Sequence, residues 1–357
     1  MKSMAVHDYQ PRSPTVLRFP LSSYVDSVRW LSSPSPLHKS FVVASFDTDT
    51  HSPSLQVFSI PNDSRTTKPE VTSSWTPSSR ISSLACASSL FAVSTLSTSV
   101  HFFITSPTSE LLPVAAVGPL DQDFHVGRIC GLGLRDGGGE CCVTVGEDGR
   151  INLLGFDGSD RNGVGHRRVF DGNGIVSYTA VKWASGSEFV TGGVGVGLQW
   201  WDLRRHGTAV AQLKDIGNKG KSSGIIHSVD VHPSRKHTCL AGGSSGKVLA
   251  WDLRWPKQPV VLSGSSTENN DNLCLPQSEI WEVQFTKSSS SNFSASQILP
   301  SMICSEDGTL AILEQGKEPI ELLTEPCAIN SFDIHWHNPS DIICSLEWES
   351  IAILSSS

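Results

Sequence analysis

The sequence predicts an all-β protein, a seven-bladed β-propeller in which four-stranded antiparallel sheets close into a ring and the N-terminal strand completes the last blade. Three observations predict it. One segment pattern recurs along the chain. Each recurrence reads as a buried strand entered through a tight hairpin. The last unit is one strand short, while the N-terminus carries one strand too many.

The repeat is clearest in TGGVGVGLQWWDLR (191–204) and AGGSSGKVLAWDLR (241–254), which align without gaps and place Trp201-Asp202 against Trp251-Asp252. TVGEDGRINLL (144–154) and ICSEDGTLAIL (303–313) share a turn, a glycine and then apolar residues at Ile151, Leu153 and Leu154, or at Leu310, Ile312 and Leu313. Alternation that ends in a doubled apolar site describes a strand buried on both faces. LQVFSI (55–60), SVHFFIT (99–105) and SIAIL (350–354) extend the series. Two further strands precede each of these, as in IIHSVDVHP and HTCLAGG, and a fourth usually follows, as in AVAQLK, PVVLSG and PIELLTE.

The unit boundaries follow. Residues 14–357 form one domain with a closing strand at about 15–21 and blades at about 23–79, 80–118, 126–172, 174–215, 224–264, 278–324 and 328–357. The seventh has INSFDIHW, DIICSLEW and SIAIL but no fourth strand; TVLRFPL (15–21) supplies it, and closure removes an exposed sheet edge. Residues 1–13 are expected to be disordered. Ser-, Asn- and Gly-rich stretches at 61–70, 135–140, 215–224, 264–272 and 287–297 are expected to be mobile surface loops.

Glu147 and Asp148 sit beside a glycine, just past Cys141 and Cys142. They could be an acid pair or a hairpin. The same turn recurs at Glu306-Asp307-Gly308 and is replaced by Ser244-Ser245-Gly246, which a catalytic pair would have no reason to do; the turn is expected. Gly242 to Gly246 matches a nucleophile-elbow pattern but falls in a strand-to-strand hairpin, where that motif has no chemistry. DIGNKGKS (215–222) approaches a phosphate loop at Gly220-Lys221-Ser222, but Asp215 stands where the leading glycine belongs and no helix follows. His335 and His337 could share a metal, yet the parallel Val231-His232-Pro233 points to a strand-ending turn. Asp47, Asp49 and His51 read as a solvated turn. No catalytic, cofactor-binding or metal-binding residue is assigned.

Composition narrows the classes. The chain has 357 residues, 38% hydrophobic and 17% charged, with 30 glycines and 20 prolines, which fits a turn-rich globular protein. A net charge of −8 argues against a broad nucleic-acid surface, which needs clustered Lys and Arg. No apolar run approaches the roughly 20 residues of a membrane helix, so no membrane insertion is expected. Nine cysteines without C-x-x-C pairs, and no signal peptide, are read as reduced thiols in the cytosol or nucleus.

The quoted segments resemble the WD-repeat family, although Trp-Asp occurs strictly in only two blades and the usual opening glycine-histidine is largely absent. Within it, VTVGEDGRINL (143–153), AGGSSGKVLAWDLRWPKQPVVL (241–262), EIWEVQF (279–285) and CSEDGTL (304–310) resemble the small WD-repeat nucleoporins of the Y-shaped outer-ring complex of the nuclear pore. That resemblance implies a non-catalytic scaffold at the nuclear envelope, without cofactors, that supports mRNA and protein transport. Its implied partners are other outer-ring nucleoporins, propellers and helical solenoids; it implies no direct nucleic acid contact and no homo-oligomer. The alternative is a substrate-receptor adaptor of a cullin-based ubiquitin ligase, because Trp201–Arg204 and Trp251–Arg254 resemble the WD-x-R box of such adaptors. Arg204 and Arg254 are therefore the candidate partner-binding residues. Blades four and five lack the Asp that usually precedes the final strand of that box.

Overall fold

A computed structural model describes residues 14–32, 38–61, 68–88, 90–106, 108–118, 124–135, 140–156, 163–213, 224–253, 259–262, 278–286 and 298–355. Their regular elements are all strands, and these assemble into seven four-stranded sheets. Six sheets take four consecutive strands each, at 24–75, 81–117, 129–171, 177–213, 226–261 and 280–324, and are blades 1 to 6. Blade 7 takes three strands from 329–355, and its fourth is Thr15–Pro20. That strand pairs antiparallel with Ser350–Ser355, from Thr15 opposite Ser355 to Pro20 opposite Ser350. The closure expected from strand counting is the closure observed. The expectations for residues 1–13 and for most of the loop stretches lie outside the described residues.

The ring holds because no blade buries its apolar surface alone. Seven apolar clusters fill the structure, and each is shared by two consecutive blades. Between blades 7 and 1, Ile343, Ile351 and Ile353 pack with Val25, Val28, Trp30 and Phe41. The closing strand serves two seams, because alternate side chains leave opposite sheet faces: Val16 packs on the cluster between blades 6 and 7, and Phe19 on that between 7 and 1.

The hairpins between second and third strands behave as the glycines forecast. Gly149 and Gly308 have φ of 75° and 82°. A Cβ on Gly308 would collide with the carbonyl oxygens of Glu325 and Cys327. In three other blades the left-handed residue is His51, Thr98 or Glu349.

One feature of register recurs in every blade. The innermost strands carry a β-bulge near their start, between Val25 and Ser27, Ile81 and Ser83, Ile129 and Gly131, Tyr178 and Ala180, Ile226 and Ser228, Ile280 and Glu282, and Ile329 and Ser331. A bulge re-aims the side chain it carries. It places Asp26, Ser82, Cys130, Thr179, His227, Trp281 and Asn330 as equivalent positions near one mouth of the central channel.

Removing residues 1–22 takes away the fourth strand of blade 7 and uncovers two seams. The truncated protein is expected to melt at least several degrees lower, in a less cooperative transition, by calorimetry or circular dichroism. An unchanged melt would show that closure does not depend on this strand.

Candidate functional site

The inner strands enclose a cavity of about 530 Å³ along the ring axis, within the usual size range of ligand pockets. Its wall carries Asp26, Arg29, Lys182, Asp230, Glu282 and Asp333. What those groups touch decides what the channel can do.

Glu282 of blade 6 receives the Arg29 guanidinium of blade 1 at 2.7 and 3.2 Å. It also accepts the Ser331 hydroxyl at 3.0 Å and the Phe332 N–H at 3.0 Å, both from blade 7. One carboxylate thus ties three blades together. Asp230 of blade 5 accepts the Phe285 N–H of blade 6 at 2.8 Å and pairs with Lys182 of blade 4 at 3.1 Å. Asp333 of blade 7 repeats the first of these contacts, accepting the Trp30 N–H of blade 1 at 2.8 Å. Asp26 takes the Arg80 guanidinium from blade 2. Blades 3 and 4 meet through the Trp183 indole N–H, which donates to the Gly133 carbonyl at 2.9 Å.

Every one of these channel carboxylates is engaged across a seam. Asp26, Asp230 and Glu282 each bind a basic side chain of another blade, and Asp230, Glu282 and Asp333 each satisfy an inner-strand N–H that a planar sheet would have paired with another strand. Burial pushes the thiols of Cys86 and Cys130 up, which keeps them protonated and weakly nucleophilic. Burial also raises the Asp333 carboxyl from its ordinary 3.8 to about 6, against the attraction of Arg29.

The two Trp-Asp-Leu-Arg segments are placed unequally by the structure. Trp201 is buried between blades 3 and 4, and its indole N–H donates to Thr191 Oγ1 at 2.9 Å. Trp251 is buried between blades 4 and 5, but its indole nitrogen has no hydrogen-bond partner among the described residues. The repeat explains the difference: where blade 4 has Thr191, blade 5 has Ala241. Asp202 accepts the Arg204 guanidinium at 2.7 to 3.2 Å and the Arg204 N–H at 3.0 Å, which holds its carboxyl down at about 2. Arg204 also approaches Glu188 at 3.6 Å, and 69% of its side chain is exposed. Its fork is therefore partly engaged by carboxylates of its own blade. Arg254 lies outside the described residues.

The other motif residues fall into turns. His335 Nδ1 accepts the N–H groups of His337 and Asn338 just past the strand Ile329–Ile334, as His232 Nδ1 does for Ser234 and Arg235. Asp47 accepts the N–H groups of Asp49 and Thr50. Ser244 accepts the Ile225 N–H with its hydroxyl oxygen in a plain hairpin. The stretch 215–222 lies outside the described residues. Among those described, no grouping of three or more His, Cys, Asp or Glu could hold a metal.

Reading Asp148 as a turn residue was right but incomplete. It accepts from the buried His125 ring at 3.1 Å, from the Val126 N–H at 2.8 Å and from the Arg150 N–H at 3.1 Å, while His125 Nε2 reaches Thr144 Oγ1 at 2.9 Å. Burial alone would raise its carboxyl; the His125 bond and these backbone donors outweigh that and hold it below the ordinary range.

Thr191→Ala should cost about 1 to 2 kcal/mol by leaving the Trp201 indole unpaired, and Ala241→Thr should add up to about 1 kcal/mol by giving Trp251 its missing acceptor, both read from denaturant melts. Asp333 favours the folded state most below pH 3.8, and that contribution is lost as pH rises through about 6, because the folded chain holds this proton more tightly than the unfolded one. The melting difference between wild type and Asp333→Asn should therefore change between pH 4 and 7 and level off above that.

No family model matches the chain. Comparison with characterised proteins finds 52% identity over 358 residues with nuclear pore complex protein NUP43 of Arabidopsis thaliana, covering 95% of this chain and 97% of that one. Nucleoporin Nup43 of Homo sapiens is 32% identical over 168 residues, 47% of this chain and 37% of the human protein. Nuclear pore complex protein nup43 of Dictyostelium discoideum is 28% identical over 198 residues, 54% of this chain and 40% of its own length. At that identity and with both chains covered almost end to end, the chain belongs to the Nup43 family of nucleoporins.

Proposed function

We propose that this chain works as a non-catalytic scaffold subunit of the nuclear pore complex, resident at the nuclear envelope and supporting mRNA and protein transport through contacts with other proteins. The observation that carries this is the 52% identity spanning 95% of the chain. The channel chemistry supports the non-catalytic part, because its carboxylates are spent on holding blades together and its thiols are kept protonated.

The finer reading places the protein in the Y-shaped outer-ring complex, bound to propeller and helical-solenoid nucleoporins and not a homo-oligomer by itself, with no direct nucleic acid contact and no membrane insertion. The adaptor alternative needs a free box arginine. Arg204 is instead shared with Asp202 and Glu188, which favours the scaffold reading. Arg204 and Arg254 are retained only as proposed contacts on the rim.

A fluorescently tagged chain, expressed in its own cells, should give a punctate nuclear rim and should capture outer-ring nucleoporins from extract. Diffuse nucleoplasmic signal with no such capture would sink the scaffold reading. Arg204→Glu should leave the rim signal intact; loss of binding to a cullin-ligase adaptor in that variant would instead favour the alternative.

A further inference from the structure

The hairpins between second and third strands and the linkers between blades open on one face of the ring. Hydrogen bonds join them there in pairs, as from Leu96 to Arg80, Ser244 to Ile225, Glu306 to Glu279, Glu347 to Ala328 and Leu21 to Glu349. Among the described residues, the three most exposed large apolar side chains all belong to these hairpins and linkers: Ile175 at 88%, Val126 at 65% and Trp348 at 64%.

Their exposure is built, not incidental. Asn173 and Gly174 both have positive φ, at 50° and 72°, and the Gly174 N–H is tied to the Asp148 carbonyl at 3.1 Å. The Val126 N–H is tied to the carboxylate of the same Asp148. Asp148 thus ties the linkers that carry Val126 and Ile175 to the two sides of the blade 3 hairpin, and Val194, also exposed, follows at the strand end paired with Ser177. Trp348 stands where the related hairpins have Asp148 and Asp307, and the turn around it keeps a non-glycine residue, Glu349, at φ 54°. The turn thus displays a tryptophan where Asp-Gly would close the hairpin without strain.

Charge identifies the partner. Glu306, Asp307, Glu347 and Glu349 are exposed on the hairpins of blades 6 and 7, and no ion pair engages any of the four among the described residues. Burial pushes the Tyr24 phenol up, and Asp26 and Glu347 push it further against the pull of Arg80. Blade 7 lies across a seven-membered ring from the seam of blades 3 and 4. The acidic and apolar patches therefore face each other over the channel mouth.

We propose that this face docks a lysine- and arginine-rich amphipathic helix of a partner protein. Its apolar stripe seats on Val126, Ile175 and Val194, and its basic end lies over Trp348 and the carboxylates of blades 6 and 7. A helix of about 20 residues is about 30 Å long, comparable to the diameter of a small domain. Pre-held apolar anchors favour affinity, and the acidic field favours encounter with a basic partner and repels an acidic one. The assignment rests on the scaffold reading and gives it a contact face.

The test uses the full chain and three fluorescein-labelled 20-residue peptides, read by anisotropy at 150 mM salt. One is an amphipathic helix with leucines on one side and lysines and arginines on the other; the second replaces its basic residues by glutamate; the third scrambles it. The basic helix should bind at least about tenfold more tightly than either control. Ile175→Asp, Trp348→Ala and the pair Glu347→Lys with Glu349→Lys should each weaken it about tenfold while melting like wild type. Equal binding of the glutamate or scrambled peptide, no binding up to 100 μM, or binding indifferent to Ile175→Asp would each overturn the proposal. So would a dimer in sedimentation that Ile175→Asp dissolves, because the face would then belong to a second copy. Rim localisation of the wild type is scored separately: rim signal without helix binding removes this surface and leaves the scaffold reading, and helix binding without rim signal does the reverse.

Discussion

The structure depends on one constraint: a four-stranded sheet that is apolar on both faces must have a neighbour on each side. Seven such sheets satisfy one another only as a closed ring, and each of the seven apolar clusters belongs to two blades at once. Where the chain begins and ends, the two terminal strands meet inside one blade through noncovalent pairing alone. The strand Thr15–Pro20 joins the last sheet from the first end of the chain, with Val16 and Phe19 filling the clusters on either side.

The same constraint explains where the buried charges sit. Apolar seams hold blades together but leave their inner strands splayed around the axis, where inner-strand N–H groups cannot pair with another strand. In this protein Glu282, Asp230, Asp333 and Ser331 accept those N–H groups from the following blade. A carboxylate buried for that purpose needs compensation, which Arg29 and Lys182 supply for Glu282 and Asp230. Asp333 has no ion pair among the described residues, and its carboxyl is the one raised to about 6. The channel's polarity is thus a product of blade assembly, and it absorbs groups that in another protein would do chemistry.

The ring itself was legible in the sequence because its cause is local. The alternation ending at Leu153-Leu154 or Ile312-Leu313, the positive-φ glycines Gly149 and Gly308, and the surplus strand at 15–21 each follow from a few adjacent residues. The channel was not legible. Asp230 and Glu282 are ordinary polar residues in ordinary strands until a bulge and a neighbouring blade give them partners some fifty residues away in sequence. Arg204 was singled out for its motif, but the carboxylates that engage it are Asp202, two residues away, and Glu188, on the adjacent strand. Asp148 shows both sides: its turn was readable from Gly149, and its bond to His125 was not, because His125 lies in an irregular linker without a pattern.

Division of labour inside each blade carries this further. Strand interiors are fixed by two neighbours, so a change there must be matched on the facing blade. The hairpin tips touch the linkers on either side of them, largely through backbone atoms, as Glu347 does to Ala328 and Asp148 to Gly174. A tip can therefore exchange Asp for Trp, as blade 7 does at Trp348, while its strands stay in register with both neighbours. A scaffold protein needs that separation: one set of residues fixes a rigid ring, and another, free of the core, sets what the ring binds. The hairpin face is where this chain departs furthest from what folding alone requires, with Glu349 kept in a left-handed turn and Ile175 held out by Asn173 and Gly174. On the proposed docking face the turns carry the contact residues, and the strands determine where each turn points.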